Sequence, residues 1–100
     1  MKRQKPGIAD RRLEDLRSVG PATLADFALL KIRTVDELSR CDAPDLYRRL
    51  ERLTGKKQDV CVLDTFTAAV AQAKDPFLPK AQANWWYWSR KRKSSPLAQG

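Results

Sequence analysis

The chain contains no histidine. The side chain that most often serves as a general base near neutral pH is therefore missing, and so are the mixed Cys–His zinc sets. Cysteine is nearly as scarce. Cys41 and Cys61 stand 20 residues apart with no Cys-x-x-Cys pair, which argues against a thiolate metal site and against a disulfide-stapled secreted domain. Both are expected in or beside helices as small apolar residues. Four glycines leave no Gly-rich phosphate loop and no dinucleotide fingerprint. No apolar run approaches the roughly 18–20 residues of a membrane span. The charged start, Met1 to Gly7, is not followed by the apolar stretch of a signal peptide. The expectation is a cytoplasmic, non-enzymatic protein that takes no metal or cofactor.

Basic residues are abundant, and their placement is uneven. The net charge is +8. Residues 1–12 hold five Lys or Arg against one acid, and Arg90, Lys91, Arg92 and Lys93 form an unbroken basic run. The other 11 basic residues are matched by 11 acids. A near-neutral body with a basic arm at each end suits a polyanion. One hundred residues make one domain with one modest core. Residues 1–8 are expected to be a disordered basic arm, 9–90 the domain, and 91–100 a basic then polar tail.

Helix signals fill the interior, and no alternating strand pattern occurs. A first helix is expected from Ala9 or Asp10 to about Arg17, with Leu13 and Leu16 on its apolar face. Gly20-Pro21 breaks it and starts a second helix, to about Leu30, in which Leu24, Phe27 and Ala28 recur at helical spacing. Ile32 in the following connector is expected in the core. Thr34 and Glu37 make a capping box for a short third helix ending near Arg40 or Cys41. Asp42 caps a fourth with Pro44 in its first turn; Leu46, Tyr47, Leu50 and Leu53 line one face, and Gly55 closes it. Asp59 caps a fifth, whose apolar positions Val62, Leu63, Phe66, Ala69, Val70 and Ala73 mark it as the centre of the core. Pro76 and Pro79 bracket a bend. A last helix, about Lys80 to Arg90, carries Trp85, Trp86, Tyr87 and Trp88. The fold class is all-α, a compact domain of five to six helices.

The stretch Leu16 to Ile32 is similar to the helix-hairpin-helix motif of DNA-binding and repair proteins, with Ser18 standing where that motif has its first glycine and Val19-Gly20 matching its second half. The span from about Leu13 to Lys93 resembles the small bacterial helix-hairpin-helix proteins of the pathogenicity-locus and mitomycin-resistance type. The matching segments are Val19 to Thr23, Thr34 to Leu38, Leu46 to Leu50, Thr54 to Asp59, Cys61 to Phe66 and Trp85 to Trp88. The first half also resembles the C-terminal domain of TfoX-type competence regulators. The hairpin resemblance implies duplex DNA held by its backbone, through the N–H groups of Gly20, Ala22 and Thr23 and the Thr23 hydroxyl. Ser18 is the departure: a positive φ there would cost a serine about 1 kcal/mol that glycine avoids, although its hydroxyl could donate to a phosphate.

The candidate nucleic-acid residues are Arg17, Ser18, Val19, Gly20, Ala22, Thr23, Lys31, Lys56, Lys57 and the run Arg90, Lys91, Arg92 and Lys93. A weaker second hairpin is read around Gly55, before Lys56 and Lys57. Trp85, Trp86 and Trp88 are stacking or core aromatics; Trp85 and Trp88 share a helix face and are assigned to the core, while Trp86 points elsewhere. Arg48, Arg49 and Arg52 are read as a solvated face. A homodimer or partner protein would complete a site built on one hairpin. The alternative is a protein-interaction adaptor using the helical body and the Trp cluster. Membrane attachment by the aromatic-basic tail ranks third.

Overall fold

A computed structural model describes residues 11–94. The expected arm at 1–8 and the tail from 95 onward lie outside the described residues. Five α-helices and two 3₁₀ turns account for the regular structure in the described residues. A 3₁₀ turn, Leu13–Asp15, is followed by α1 (Pro21–Leu29), α2 (Val35–Ser39), α3 (Ala43–Thr54) and α4 (Val60–Lys74). A second 3₁₀ turn, Lys80–Ala83, leads into α5 (Trp85–Ser94).

The helix boundaries follow local chemistry. The Glu37 N–H donates to the Thr34 hydroxyl at 3.0 Å, and the Glu37 carboxylate accepts the Arg33 N–H at 2.7 Å. Asp42 accepts from the Asp45 N–H and Asp59 from the Cys61 N–H, so α3 and α4 are each entered through an aspartate. Gly55 ends α3 at φ 68, the left-handed conformation that makes glycine the usual residue after a helix. α1 ends the same way without a glycine. Lys31 has φ 63, its N–H donates to the Ala28 carbonyl, and the Ile32 N–H reaches back to Phe27. This is a Schellman closure that drops Ile32 onto the core.

α4 is the central element, packed against α2, α3, α5 and the second 3₁₀ turn. Phe27 and Phe66 stack at 5.4 Å between ring centres, both fully buried. Leu30, Leu38, Leu46 and Leu50 close around them.

Several expectations need correction. Among the described residues, the helix expected before the hairpin is reduced to the 3₁₀ turn Leu13–Asp15; Leu16 is already extended (ψ 140) because the chain must turn at once into α1. Ala28 is exposed, as is Leu53, which lies off the buried stripe of α3. The last helix begins at Trp85, not Lys80, and runs through the basic cluster to Ser94. Lys91, Arg92 and Lys93 are therefore part of the helix, as Arg90 is, rather than the start of a tail. Trp85 is also not a core residue: it is 39% exposed.

Candidate nucleic-acid interface

The hairpin runs from Arg17 to Thr23. The Val19 N–H donates to the Leu16 carbonyl at 3.3 Å, closing a tight turn with Arg17 and Ser18 at its corner. Ser18 has φ 70, a conformation in which glycine is the ordinary occupant. Its hydroxyl offsets that cost. It donates to the Ala83 carbonyl at 3.2 Å and accepts the Trp85 N–H at 3.0 Å. Ser18 thus caps α5 from a distant part of the chain, and its hydroxyl is committed inside the protein instead of facing a phosphate.

Gln72, buried on α4, anchors the same turn. Its side-chain oxygen accepts the Arg17 N–H at 2.8 Å; its amide nitrogen lies 2.8 Å from the Arg17 carbonyl, 3.1 Å from that of Ala68 and 3.3 Å from that of Ala83. Arg11 lays its guanidinium on the Gln72 carbonyl at 2.9 Å, at the end of α4. The turn, the end of α4 and the start of α5 are one hydrogen-bonded unit.

Gly20 behaves differently from Ser18 and Gly55. Its φ of −104 is accessible to any residue, and a Cβ there would meet nothing within 4 Å. Neither backbone conformation nor packing requires a glycine. It precedes α1 without a side-chain cap, whereas α2, α3 and α4 are capped by Thr34, Asp42 and Asp59. Pro21 and Ala22 are exposed and Thr23 is half-buried. The first-turn N–H groups of α1 have no acceptor within the helix, and the positive end of its dipole lies there.

The remaining basic candidates fall into separate places. α1 is about 13 Å long, and Lys31 stands at its far end from the turn. Lys56 and Lys57 belong to the α3–α4 turn, at the opposite end of α4 from Gln72. There they line a shallow depression with Arg48, Arg52, Glu51 and Gly55. Arg48 and Arg52 join Lys56 by their spacing of four residues, a pattern legible in the sequence but read as a solvated face. The Glu51 carboxylate accepts the Gln58 N–H at 2.9 Å, and the Tyr47 hydroxyl donates to the Gln58 carbonyl. Burial, with Glu51 and Asp59 nearby, pushes the Tyr47 phenol above its ordinary pKa, so it stays a donor.

α5 divides by face. Trp88 is half-buried and donates its indole N–H to the Gln82 carbonyl at 2.6 Å. Ser89 is buried. Arg92 makes a two-pronged pair with Asp64, Nε to Oδ1 at 3.0 Å and Nη2 to Oδ2 at 2.9 Å. Asp64 is only 2% exposed. Arg92 is thus occupied by a buried carboxylate, whereas Arg90, Lys91 and Lys93 are exposed. Arg90 lies over the Trp86 ring at 4.7 Å from its centre, and Trp86 is 42% exposed. α5 carries no acid.

Burial raises the Cys41 thiol above its ordinary pKa, and partial desolvation with the Asp59 carboxylate beside it raises that of the exposed Cys61. The described residues hold no group of three metal-ligating side chains, and none of their helices is long and apolar enough to cross a membrane.

The sequence pattern of a family described as "Pathogenicity locus" matches residues 9–94. A curated relative, "Mitomycin resistance protein McrB" of Streptomyces lavendulae, is 32% identical over 88 residues, covering 88% of this chain and 80% of its own length. No solved structure matches.

Proposed function

The chain belongs to the pathogenicity-locus family, and from that premise and its surface we propose that it binds DNA without sequence selectivity, as a non-enzymatic protein. Leu13 to Leu29 is read as a helix-hairpin-helix motif whose first arm is, among the described residues, one 3₁₀ turn. The Gly20, Ala22 and Thr23 N–H groups take a backbone phosphate, with Arg17 beside them. Contacts of this kind position a duplex without reading its bases.

The observation that carries this reading is Gly20: a glycine that nothing inside the protein demands, at the one uncapped helix entry among α1 to α4. A missing side chain there lets a phosphate approach the backbone closely. The exposed bases of α5 and of the Gly55 turn add sequence-independent attraction. Among the described residues, no ion pair engages Arg48, Arg52, Lys56, Lys57, Arg90 or Lys91.

The test is a fluorescence-anisotropy titration of a labelled duplex at two salt concentrations. Wild-type binding is expected to fall steeply with salt, and Arg17→Glu is expected to weaken it. Failure of the wild type to bind at low salt overturns the reading. The second reading, a protein-contact adaptor, is favoured by the exposed Leu53, Phe77, Trp85 and Trp86. An apolar contact of that kind survives high salt.

A further inference from the structure

The outward face of α5 has a composition that a phosphate grip does not need. Trp86, Arg90 and Lys93 follow one another at spacings of four and three, so they form one stripe along the helix. The inward stripe holds Trp88, Ser89 and Arg92, which carry the packing and the Asp64 pair. Trp86 therefore contributes little to the core, and its indole is left 42% exposed. The Arg90 guanidinium lies over that ring, making a flat, cationic plate. Tyr87, Arg90, Lys91, Lys93 and Ser94 line a shallow depression beside it. A flat cationic surface followed by further cations fits a ligand that joins a π-face to a phosphate.

Position adds to composition. The Ser18 hydroxyl holds the Trp85 N–H at 3.0 Å, so the first turn of α5 is fixed on the hairpin, and Trp86 is the next residue. The plate therefore begins one residue beyond the hairpin's contact with α5. The stripe from residue 86 to 93 covers about 10 Å of helix, the rise of roughly three stacked nucleotides. In a duplex the base faces are covered by their neighbours; in an unpaired segment they are open to an aromatic platform.

We propose that the Trp86–Arg90 plate stacks unpaired nucleobases, so that the protein prefers DNA in which a duplex gives way to a single strand. The duplex half of this preference rests on the hairpin reading above; the stacking half stands on α5.

The experiment compares a duplex closed at both ends by loops of a non-nucleotide linker, the same duplex with one single-stranded tail, and the tail alone. The full chain, Trp86→Ala, Arg90→Gln and Arg17→Glu are titrated against each by anisotropy, with thermal melts confirming that each variant folds. The tailed duplex is expected to bind more tightly than the closed one. Trp86→Ala is expected to lose about 5- to 150-fold of affinity for the tailed duplex and little for the closed one. Equal wild-type affinity for the closed and tailed duplexes overturns the proposal while leaving the hairpin reading intact. So does a Trp86→Ala loss of the same size on both. A tail preference that survives in Arg17→Glu with unchanged duplex affinity overturns the hairpin reading and keeps the plate. Binding to vesicles of anionic lipid with none to any DNA overturns both.

Discussion

Ser18 shows how one side chain can offset its own strain. At φ 70 it carries a penalty of about 1–2 kcal/mol that glycine would not, and its hydroxyl makes two bonds to the start of α5. Ser18→Ala keeps the strain and loses both bonds, so a loss of about 1–2 kcal/mol is expected beyond any change in strain. Ser18→Gly loses the same bonds and relieves the strain, so its loss is expected to be smaller. Urea melts order the two variants, and an alanine variant as stable as the glycine variant contradicts this account. Lys31, at φ 63, has no such compensation from a hydroxyl. Lys31→Gly is expected to gain up to about 1 kcal/mol, read in the same melts. Because Lys31 stands at the far end of α1, its removal is expected to weaken DNA binding less than Arg17→Glu.

At the scale of elements, two long-range contacts hold α5 in place, and each separates structure from binding. Arg92 pairs with buried Asp64. Arg92→Leu strands that carboxylate in the core, and a loss of about 3–5 kcal/mol is expected. Arg90→Gln is expected to stay within about 0.5 kcal/mol of wild type while weakening DNA binding. Equal stability of the two variants would contradict the division of α5 into faces. The entry of α4 supplies a pH test. Hydrogen bonding from the Cys61 N–H holds the Asp59 carboxyl below its ordinary value of 3.8. A carboxylate whose folded pKa is lowered stabilises the fold above its unfolded value and loses that contribution as pH falls through the folded one. The melting-temperature gap between wild type and Asp59→Ala is therefore expected to be constant from about pH 8 to 5 and to shrink below about pH 4. A gap that persists in strong acid would show that the cap does not depend on the charge.

Across the whole molecule, what the sequence made legible is what local chemistry decides. Thr34, Asp42, Asp59 and Gly55 each mark a helix end through bonds to residues a few positions away, and α2 to α4 fall at or within a residue or two of where those marks place them. The apolar stripe of α4 likewise announced the centre of the core. What stayed hidden depends on partners far along the chain. Leu13 and Leu16 have helical spacing, yet Leu16 is extended, and the next residue, Arg17, is bonded to Gln72, 55 residues away. Lys91 to Lys93 read as a tail, yet they are helical, with Arg92 held by Asp64, 28 residues away. Within the candidate site, the turn from Arg17 to Thr23 was legible as a unit. The separation of Lys31, Lys56 and Lys57 from it was not, since it follows from the direction of α1 and the length of α4. Gln72, a polar residue among the apolar positions of α4, was the overlooked signal that something must meet it.

The central claim is that the uncapped entry of α1 at Gly20 receives a phosphate, and Gly20→Asp tests it most directly. An aspartate there fits the extended backbone, meets open space and caps the N–H groups a phosphate would use, adding about 0.5–1 kcal/mol of stability. Duplex affinity is measured by anisotropy at low salt, beside Ala28→Asp, which adds the same charge at the other end of α1. The account predicts a Gly20→Asp variant that melts no lower than wild type and binds duplex DNA at least about tenfold more weakly than Ala28→Asp does, a difference of about 1.4 kcal/mol. Equal affinities for the two variants would contradict it.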